Sequence, residues 1–330
     1  MARLIQYFAE NGAPAVGLVE GRDIVELGGF RSLVQLAFAA MDQRLTLDAM
    51  ALAQPRGARE RYDGVLATGR VRPVVDGVGA PRLMVTGTGL THLGSVQARD
   101  AMHSMLDGDD SALSDSMKIF KMGVQGGKPA AGQVGVQPEW FWKGDASILR
   151  GAGQWMDSPH WAMDFGEEPE IAGIYLIDPQ GKPCRLGFAL ANEMSDHAME
   201  RQNYLFLAHS KLRPCALGPE LLTGDLPRHV EGTSRIYRKG AVIWEKPFLS
   251  GEDNMTHSIA NLEHHHFKYP LFRQPGDVHV HVFGTATISF ADGVRLQEAD
   301  EMEIDCPVMG HALRNPVHTV RHDAPTTRSL

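Results

Sequence analysis

The 330 residues, 43% hydrophobic and 22% charged, have the make-up of a soluble globular protein with room for a sizeable core. A formal net charge of −8 and a pI near 6.0 argue against a nucleic-acid or anionic-membrane surface. Three distant cysteines, Cys184, Cys215 and Cys306, show no CxxC spacing and suggest neither a disulfide framework nor a zinc site, and no run approaches the ~20 apolar residues of a membrane span.

The first residues, MARLIQYFAENGAPAVG, lack a signal-peptide layout, so a cytoplasmic location is expected. Residues 1–80 read as a small α/β unit. Leu4–Phe8 and Ala15–Val19 are strand candidates around the turn signal Asn11-Gly12, and Asp23–Leu27 is a third. Ser32 opens a helix, LVQLAFAAM, apolar nearly all round and therefore buried. Arg56–Val75 is polar and Gly-rich and is expected to carry a linker.

Residues 81–330 form the larger unit. Pro81–Thr86 is a strand running into Gly87-Thr88-Gly89-Leu90-Thr91-His92-Leu93-Gly94-Ser95. Two glycines at this spacing suggest a dinucleotide-binding turn, but His92 holds the third glycine position and no acidic residue follows at the usual distance. A Gly-rich loop at the mouth of a site is expected instead. A helix is expected from Ala98 through Met105, and a polar loop over a pocket from Leu106 to Gly132. Pro138–Asp145, PEWFWKGD, is either core packing with charges at its ends or an apolar wall that desolvates Lys143 or perturbs Glu139.

Glu168–Glu193, EPEIAGIYLIDPQGKPCRLGFALANE, reads as a β-hairpin about Asp178-Pro179-Gln180-Gly181. Glu168 and Glu170, two apart, share a face of the first strand. If Ile177 pairs with Cys184, the register sets Glu168 opposite Glu193. Three carboxylates crowded at one hairpin end repel unless a cation sits between them, and a hard divalent ion such as Mg²⁺ or Mn²⁺ suits oxygen ligands. The alternative is a solvated strand end.

Ser195–Ala208 has helical spacing, and a loop with Lys211 and Arg213 follows. Ser234–Arg238 and Ala241–Trp244 form a hairpin about Lys239-Gly240, and Met255–His265 is helical. His264-His265-His266 diverge on any regular element and do not suggest a metal. On Pro275–Thr285, His279 and His281 share a strand face, so a cupin-like metal site is the rival reading. Val294–Leu296, Glu301–Ile304 and Arg314–Val320 add strands. Many short strands with Gly/Pro turns argue for a rolled β architecture, α+β and β-rich, not a doubly wound sheet.

Four ordered motifs resemble the fumarylacetoacetate hydrolase superfamily. They are Glu168-Pro169-Glu170-Ile171-Ala172, Gly187–Glu193, Ser210-Lys211 with Leu217-Gly218-Pro219, and Pro275-Gly276-Asp277 with Gly284-Thr285. The resemblance implies a mixed β-sandwich roll catalytic domain behind a small leading domain. It also implies a homodimer or higher homo-oligomer, and Mg²⁺ or Mn²⁺ on Glu168, Glu170 and Glu193. The third ligand is usually Asp and here is Glu193, whose longer arm still offers a carboxylate. The His–Glu dyad of the family's carbon–carbon hydrolases falls on Ser95 and Ala98, which cannot activate water; His92 is close but out of phase.

The segments THLGSVQARDAMH, PEWFWKGDASILRG and NEMSDHAMERQNYLFLAHSKLRPCALGPEL resemble the branch that dehydrates 2-keto-3-deoxy sugar acids in non-phosphorylative pentose degradation. That branch implies Lys211 as the base on C3, with Lys143 the alternative, and Glu139 as the acid for the C4 hydroxyl. Ser95, Arg99, Asp100 and Thr285 would bind the substrate. An acylpyruvate-type carbon–carbon hydrolase and a non-catalytic sugar-acid-binding protein are the alternatives.

Overall fold

The computed structural model describes residues 1–94 and 113–330. The chain opens with antiparallel strands β1 (Arg3–Phe8), β2 (Pro14–Glu20) and β3 (Asp23–Leu27), turning at Asn11-Gly12 as expected. Helix α1 (Leu33–Asp42) begins where the Ser32 hydroxyl accepts from the Gln35 amide, and α2 (Leu47–Ala53) where Thr46 does so from Ala49. The stretch expected as linker instead holds β4 (Arg56–Arg61) and α3 (Tyr62–Ala67). Its polarity is that of a sheet edge: β4 is the outermost strand, and its arginines face water.

Then come β5 (Leu83–Gly87), α4 (Asp115–Gly126), β6 (Phe141–Asp145), β7 (Leu149–Arg150) and β8 (Met156–Pro159). The hairpin strands β9 (Pro169–Ile177) and β10 (Pro183–Glu193) follow, then α5 (His197–Gln202), α6 (Leu207–Ser210), β11 (Cys215–Leu217) and β12 (Glu220–Leu222). The chain closes with β13 (Val230–Arg238), β14 (Ala241–Ser250), α7 (Ile259–Phe267), β15 (Val278–Val282), β16 (Glu301–Asp305) and β17 (Leu313–Val320). Asn203 caps a 3-10 turn after α5, so Ser195–Ala208 is not one helix. Ser258, accepting from Asn261, starts α7 later than its spacing suggested. Val294–Leu296, expected as a strand, is irregular.

Among the described residues, twelve strands form one mixed sheet, β4-β3-β2-β1-β12-β10-β9-β15-β5-β6, with β11 on β10 and β7 on β11. A second sheet runs β14-β13-β16-β17-β8. Alternation along each strand sorts side chains of the large sheet onto two faces. Leu4, Val16, Val85, Ile174, Leu176 and Val280 pack with Leu33, Leu36 and Ala37 of α1. Ile5, Tyr7, Ile171, Phe188 and Leu190 pack with Met302, Ile304, Leu313 and Val317 of the second sheet. Strand β9 is buried at every position because both its faces are covered, hence its nearly unbroken apolar run. The result is α+β and strand-rich, two mixed sheets packed as the sandwich that the family resemblance implied.

The histidines of β15 belong to this core. The Trp140 indole can only donate, so Nδ1 of His266 accepts it at 3.2 Å, and Nε2 of His266 carries the proton given to Nδ1 of His279 at 2.9 Å. The His266 ring stacks on His281 at 4.6 Å, and Thr86 bonds Nδ1 of His281. Burial drives all three below the ordinary imidazole range, His279 to about 4, His281 to about 3 and His266 further. The rival reading of His279 and His281 as metal ligands is corrected by their neighbours: both pack and bond against His266 and Thr86, and among the described residues neither belongs to a group of three candidate ligands.

This packing carries an expected pH dependence. A histidine whose folded pKa lies below its unfolded value of ~6.5 binds fewer protons folded than unfolded, so stability is present above that pH and is lost as pH falls. His92, held near 3 by burial, and His257, near 4, add to the effect. Unfolding free energy should therefore fall steadily as pH drops from about 6.5 toward 3. Urea titrations across that range would check it; a flat profile would contradict neutral burial of these rings.

Candidate metal centre

The hairpin places the acidic residues. Ile177 stands opposite Pro183, one residue from the expected Cys184. A bulge between Arg185 and Gly187 then inserts the extra residue, and from Gly187 opposite Ile174 the register is the expected one. Asn192 pairs with Pro169, and the Glu193 amide donates to the Glu168 carbonyl at 3.1 Å. The row Leu176, Ile174, Ala172 continues as Glu170 and Glu168, and the row Ala189, Ala191 as Glu193. One face of the sheet thus changes from core to carboxylate at its end. The three residues offer oxygens all within 4.8 Å of one another, the only such group of three His, Cys, Asp or Glu among the described residues.

Two lysines meet this cluster. Nζ of Lys211 lies 2.6 Å from Oε1 of Glu168, 2.8 Å from Oε2 of Glu193 and 2.9 Å from the Ser195 hydroxyl. Nζ of Lys143 bonds the other Glu193 oxygen and the carbonyls of Met194 and Lys211 at 2.7 and 2.8 Å. The alternation of β6 buries Phe141 and Lys143 and leaves Trp140 and Trp142 partly exposed, so the aromatic stretch is core packing and a charge site together.

The three carboxyls have different electrostatics. Burial alone would raise Glu168, but the Lys211 ammonium and His197 outweigh it and hold Glu168 well below the carboxylate range. Burial pushes Glu170 well above that range, and the Glu168 and Glu193 charges push it further. Burial also raises Glu193, against the two lysines. Burial would lower Lys211, but Glu168, Glu193 and Glu200 raise it well above the ordinary amine. The lysine is therefore a cation in this arrangement, opposite to the lowered pKa that a waiting base needs.

The Gly284 amide donates to Oε2 of Glu170 at 2.5 Å, while Oε1 is buried without a hydrogen-bond partner. A buried carboxylate oxygen left bare costs its full desolvation. A bare oxygen aimed into a cluster of hard oxygen donors fits a divalent cation of the Mg²⁺ or Mn²⁺ kind.

A cleft of about 200 Å³ opens onto the cluster, lined by Thr88, Gly89, Leu90, Glu139, Phe141, Glu168, His197, Glu200, Tyr204, Leu207, Lys211, Gly284, Thr285 and Ile288. The Gly87–Gly89 loop is thus at the mouth of a site, and a Cβ on Gly89 would collide with the Glu139 carboxylate. The Tyr204 hydroxyl donates to Glu139, whose pKa burial raises. Thr285 lines the cleft; Ser95, Arg99 and Asp100, and the dyad position Ala98, lie outside the described residues. Lys143 is fully buried behind the cluster and does not line the cleft. His92 is locked between Thr91 and Ser250 at 3.0 and 3.1 Å, also off the cleft.

His197, Tyr204 and Glu200 were not singled out from the sequence. Their segment shows only helical spacing, and the break at Asn203 that turns Tyr204 toward Glu139 is a tertiary matter. The Asp196 cap of α5 is the one local signal, since it fixes where His197 begins the helix.

No family model matches the chain. Over 118 residues it is 31% identical to the 2-dehydro-3-deoxy-D-arabinonate dehydratase of Saccharolobus solfataricus, covering 33% of this chain and 37% of that protein. Over 198 residues it is 29% identical to a probable 2-keto-3-deoxyxylonate dehydratase of Haloferax volcanii, covering 56% and 61%. The chain therefore spans less than two thirds of the length of either relative. The solved structure of 2-keto-3-deoxy-D-arabinonate dehydratase with magnesium and 2,5-dioxopentanoate matches with TM-score 0.70 at 20% identity, over 97% of this chain and 100% of that one. Its apo form gives 0.71. The fold is that of these solved dehydratase structures, and the two curated relatives carry dehydratase names of the kind the motifs resemble. No helix among the described residues is long and apolar enough to cross a membrane.

Proposed function

We propose that the chain is a divalent-metal-dependent dehydratase of a 2-keto-3-deoxy sugar acid, a hydro-lyase forming 2,5-dioxopentanoate from a pentonate of the arabinonate or xylonate type. The observation that carries this reading is the buried Glu168–Glu170–Glu193 cluster with Lys211 against it and the bare Oε1 of Glu170 inside it. The names of the relatives support the same chemistry. The reading extends to a cytoplasmic homodimer or larger homo-oligomer in pentose breakdown, with a leading unit of residues 1–80 and a catalytic unit of 81–330.

Glu168, Glu170 and Glu193 would hold Mg²⁺ or Mn²⁺. When bound, that ion polarises the 2-oxo acid, acidifies its C3 proton and takes up the carboxylate charge that otherwise grips Lys211. Lys211 would act as the base: its ammonium gives one proton to solvent, and the amine so formed accepts the C3 proton on Nζ. The electron pair of that C–H bond forms the C3–C4 double bond as the C4–O bond breaks. Glu139, whose pKa burial raises and which the Tyr204 hydroxyl positions, is the acid that would give its proton to the departing hydroxyl, which leaves as water. Proton shifts from C5 into the C3–C4 unit then leave the terminal aldehyde. Thr285 and the Gly87–Gly89 loop bound the space for the tail of the substrate.

The test is an assay of purified Mg²⁺-loaded protein with 2-keto-3-deoxy-arabinonate and, separately, an acylpyruvate. Semialdehyde should form from the first and the second should persist. Release of pyruvate from the diketone would establish the hydrolase alternative instead, and turnover of neither would make the chain a sugar-acid-binding protein.

A further inference from the structure

His197 stands between two carboxylates. Its Nδ1 lies 3.3 Å from Oδ2 of Asp164 and its Nε2 3.1 Å from Oε1 of Glu168, and both His197 and Asp164 are buried. Each ring nitrogen thus has a carboxylate oxygen within hydrogen-bond distance, and with Nε2 donating to Glu168 the ring is held from its far side by Asp164. The other Asp164 oxygen faces Arg295 at 3.6 Å, a side chain half open to solvent, whose guanidinium lies over Phe290 beside the His197 ring.

The backbone is shaped for this contact. Gly166 pairs with Ser195 through hydrogen bonds of 2.9 and 3.0 Å, which brings the chain after Asp164 against the start of α5. A Cβ on Gly166 would collide with Nδ1 and Cε1 of the His197 ring. Oε1 of Glu168 therefore receives a donor from each side, His197 and Lys211, while Oε2 stands outside that pair of bonds.

We infer that Asp164 and His197 form a positioning pair that clamps Oε1 of Glu168, turns its other oxygen to the metal site, and so sets the affinity of that site for a divalent cation. Such outer partners of metal ligands typically matter by about 10–100-fold in affinity. The inference rests on Glu168 being a ligand, which belongs to the proposed function.

Calorimetric titration of the metal-free protein with Mn²⁺ tests it without turnover. Asp164→Asn keeps the shape but weakens the hydrogen bond that orients the ring; its Mn²⁺ affinity should fall about 10–100-fold. His197→Leu removes the donor and should fall similarly, whereas His197→Gln keeps an N–H for Glu168 and should recover most of the loss. Thermal melts without metal separate this from misfolding, and if Asp164→Asn does not fold the Leu and Gln pair decides. Parental affinity in Asp164→Asn, or equal loss in Gln and Leu, overturns the pair. A parent protein that binds no Mn²⁺ overturns the ligand assignment with it, while one that binds Mn²⁺ tightly but turns over no keto acid refutes only the dehydratase reading.

Discussion

Glu170→Gln should abolish metal-dependent turnover while leaving the fold intact. Glutamine has the shape of the protonated carboxyl, and burial together with Glu168 and Glu193 already holds Glu170 toward that neutral form when no cation is present. The substitution therefore removes one of three like charges from a buried cluster and should leave the metal-free protein as stable as the parent, or more so. It also removes the one cluster oxygen that is buried and bare, Oε1, as an anionic ligand. Lewis-acid stabilisation of several kcal/mol is at stake, and at ~1.4 kcal/mol per tenfold the rate should fall by roughly a thousandfold or more. Binding that favours the folded state stabilises it by about 2.7 kcal/mol at a hundredfold excess over Kd, so the parent should melt higher with saturating Mg²⁺ and the variant should not. Normal turnover, or a retained Mg²⁺ shift, would remove Glu170 from the ligand set.

The two lysines should separate by the kind of damage. Lys211 lines the cleft and Lys143 lies behind the cluster. Lys211→Met should cost the base, about 10²–10⁴-fold in kcat, with Mn²⁺ binding retained because the ion replaces the missing charge. Lys143→Met leaves the buried Glu193 oxygen and two carbonyls without their donor, and removing one partner of a buried pair costs about 3–5 kcal/mol. Its signature is a lowered denaturation midpoint more than a lowered kcat in the protein that remains folded. If Lys143→Met kept parental stability and lost turnover while Lys211→Met stayed active, the base assignment would pass to Lys143.

Much of the centre was legible because it is local. Glu168 and Glu170 are two apart on one strand, Glu193 is at the matching distance across one turn, and period-two alternation needs no further information. The turn register was read one residue out, yet the carboxylates meet because the bulge at Leu186 restores the count. The edge strand β4 was misread because arginines facing water look the same in a linker. The β15 histidines looked like ligands because strand alternation gives direction but not neighbours; His266 on α7 and Trp140, far away in the chain, decide that they are core.

Strand periodicity, turn chemistry and the spacing of three glutamates thus determined, without any structure, the β-rich architecture and the meeting point of the carboxylates. Each of those signals is carried by residues adjacent on one or two paired strands. The tertiary structure alone decided the electrostatics of the site: that Lys211 is held toward its ammonium form, that burial raises Glu139, which carboxylate His197 touches. Charge state depends on burial and on opposite charges within a few ångströms, and in this chain those partners come from elements 18 to 65 residues apart.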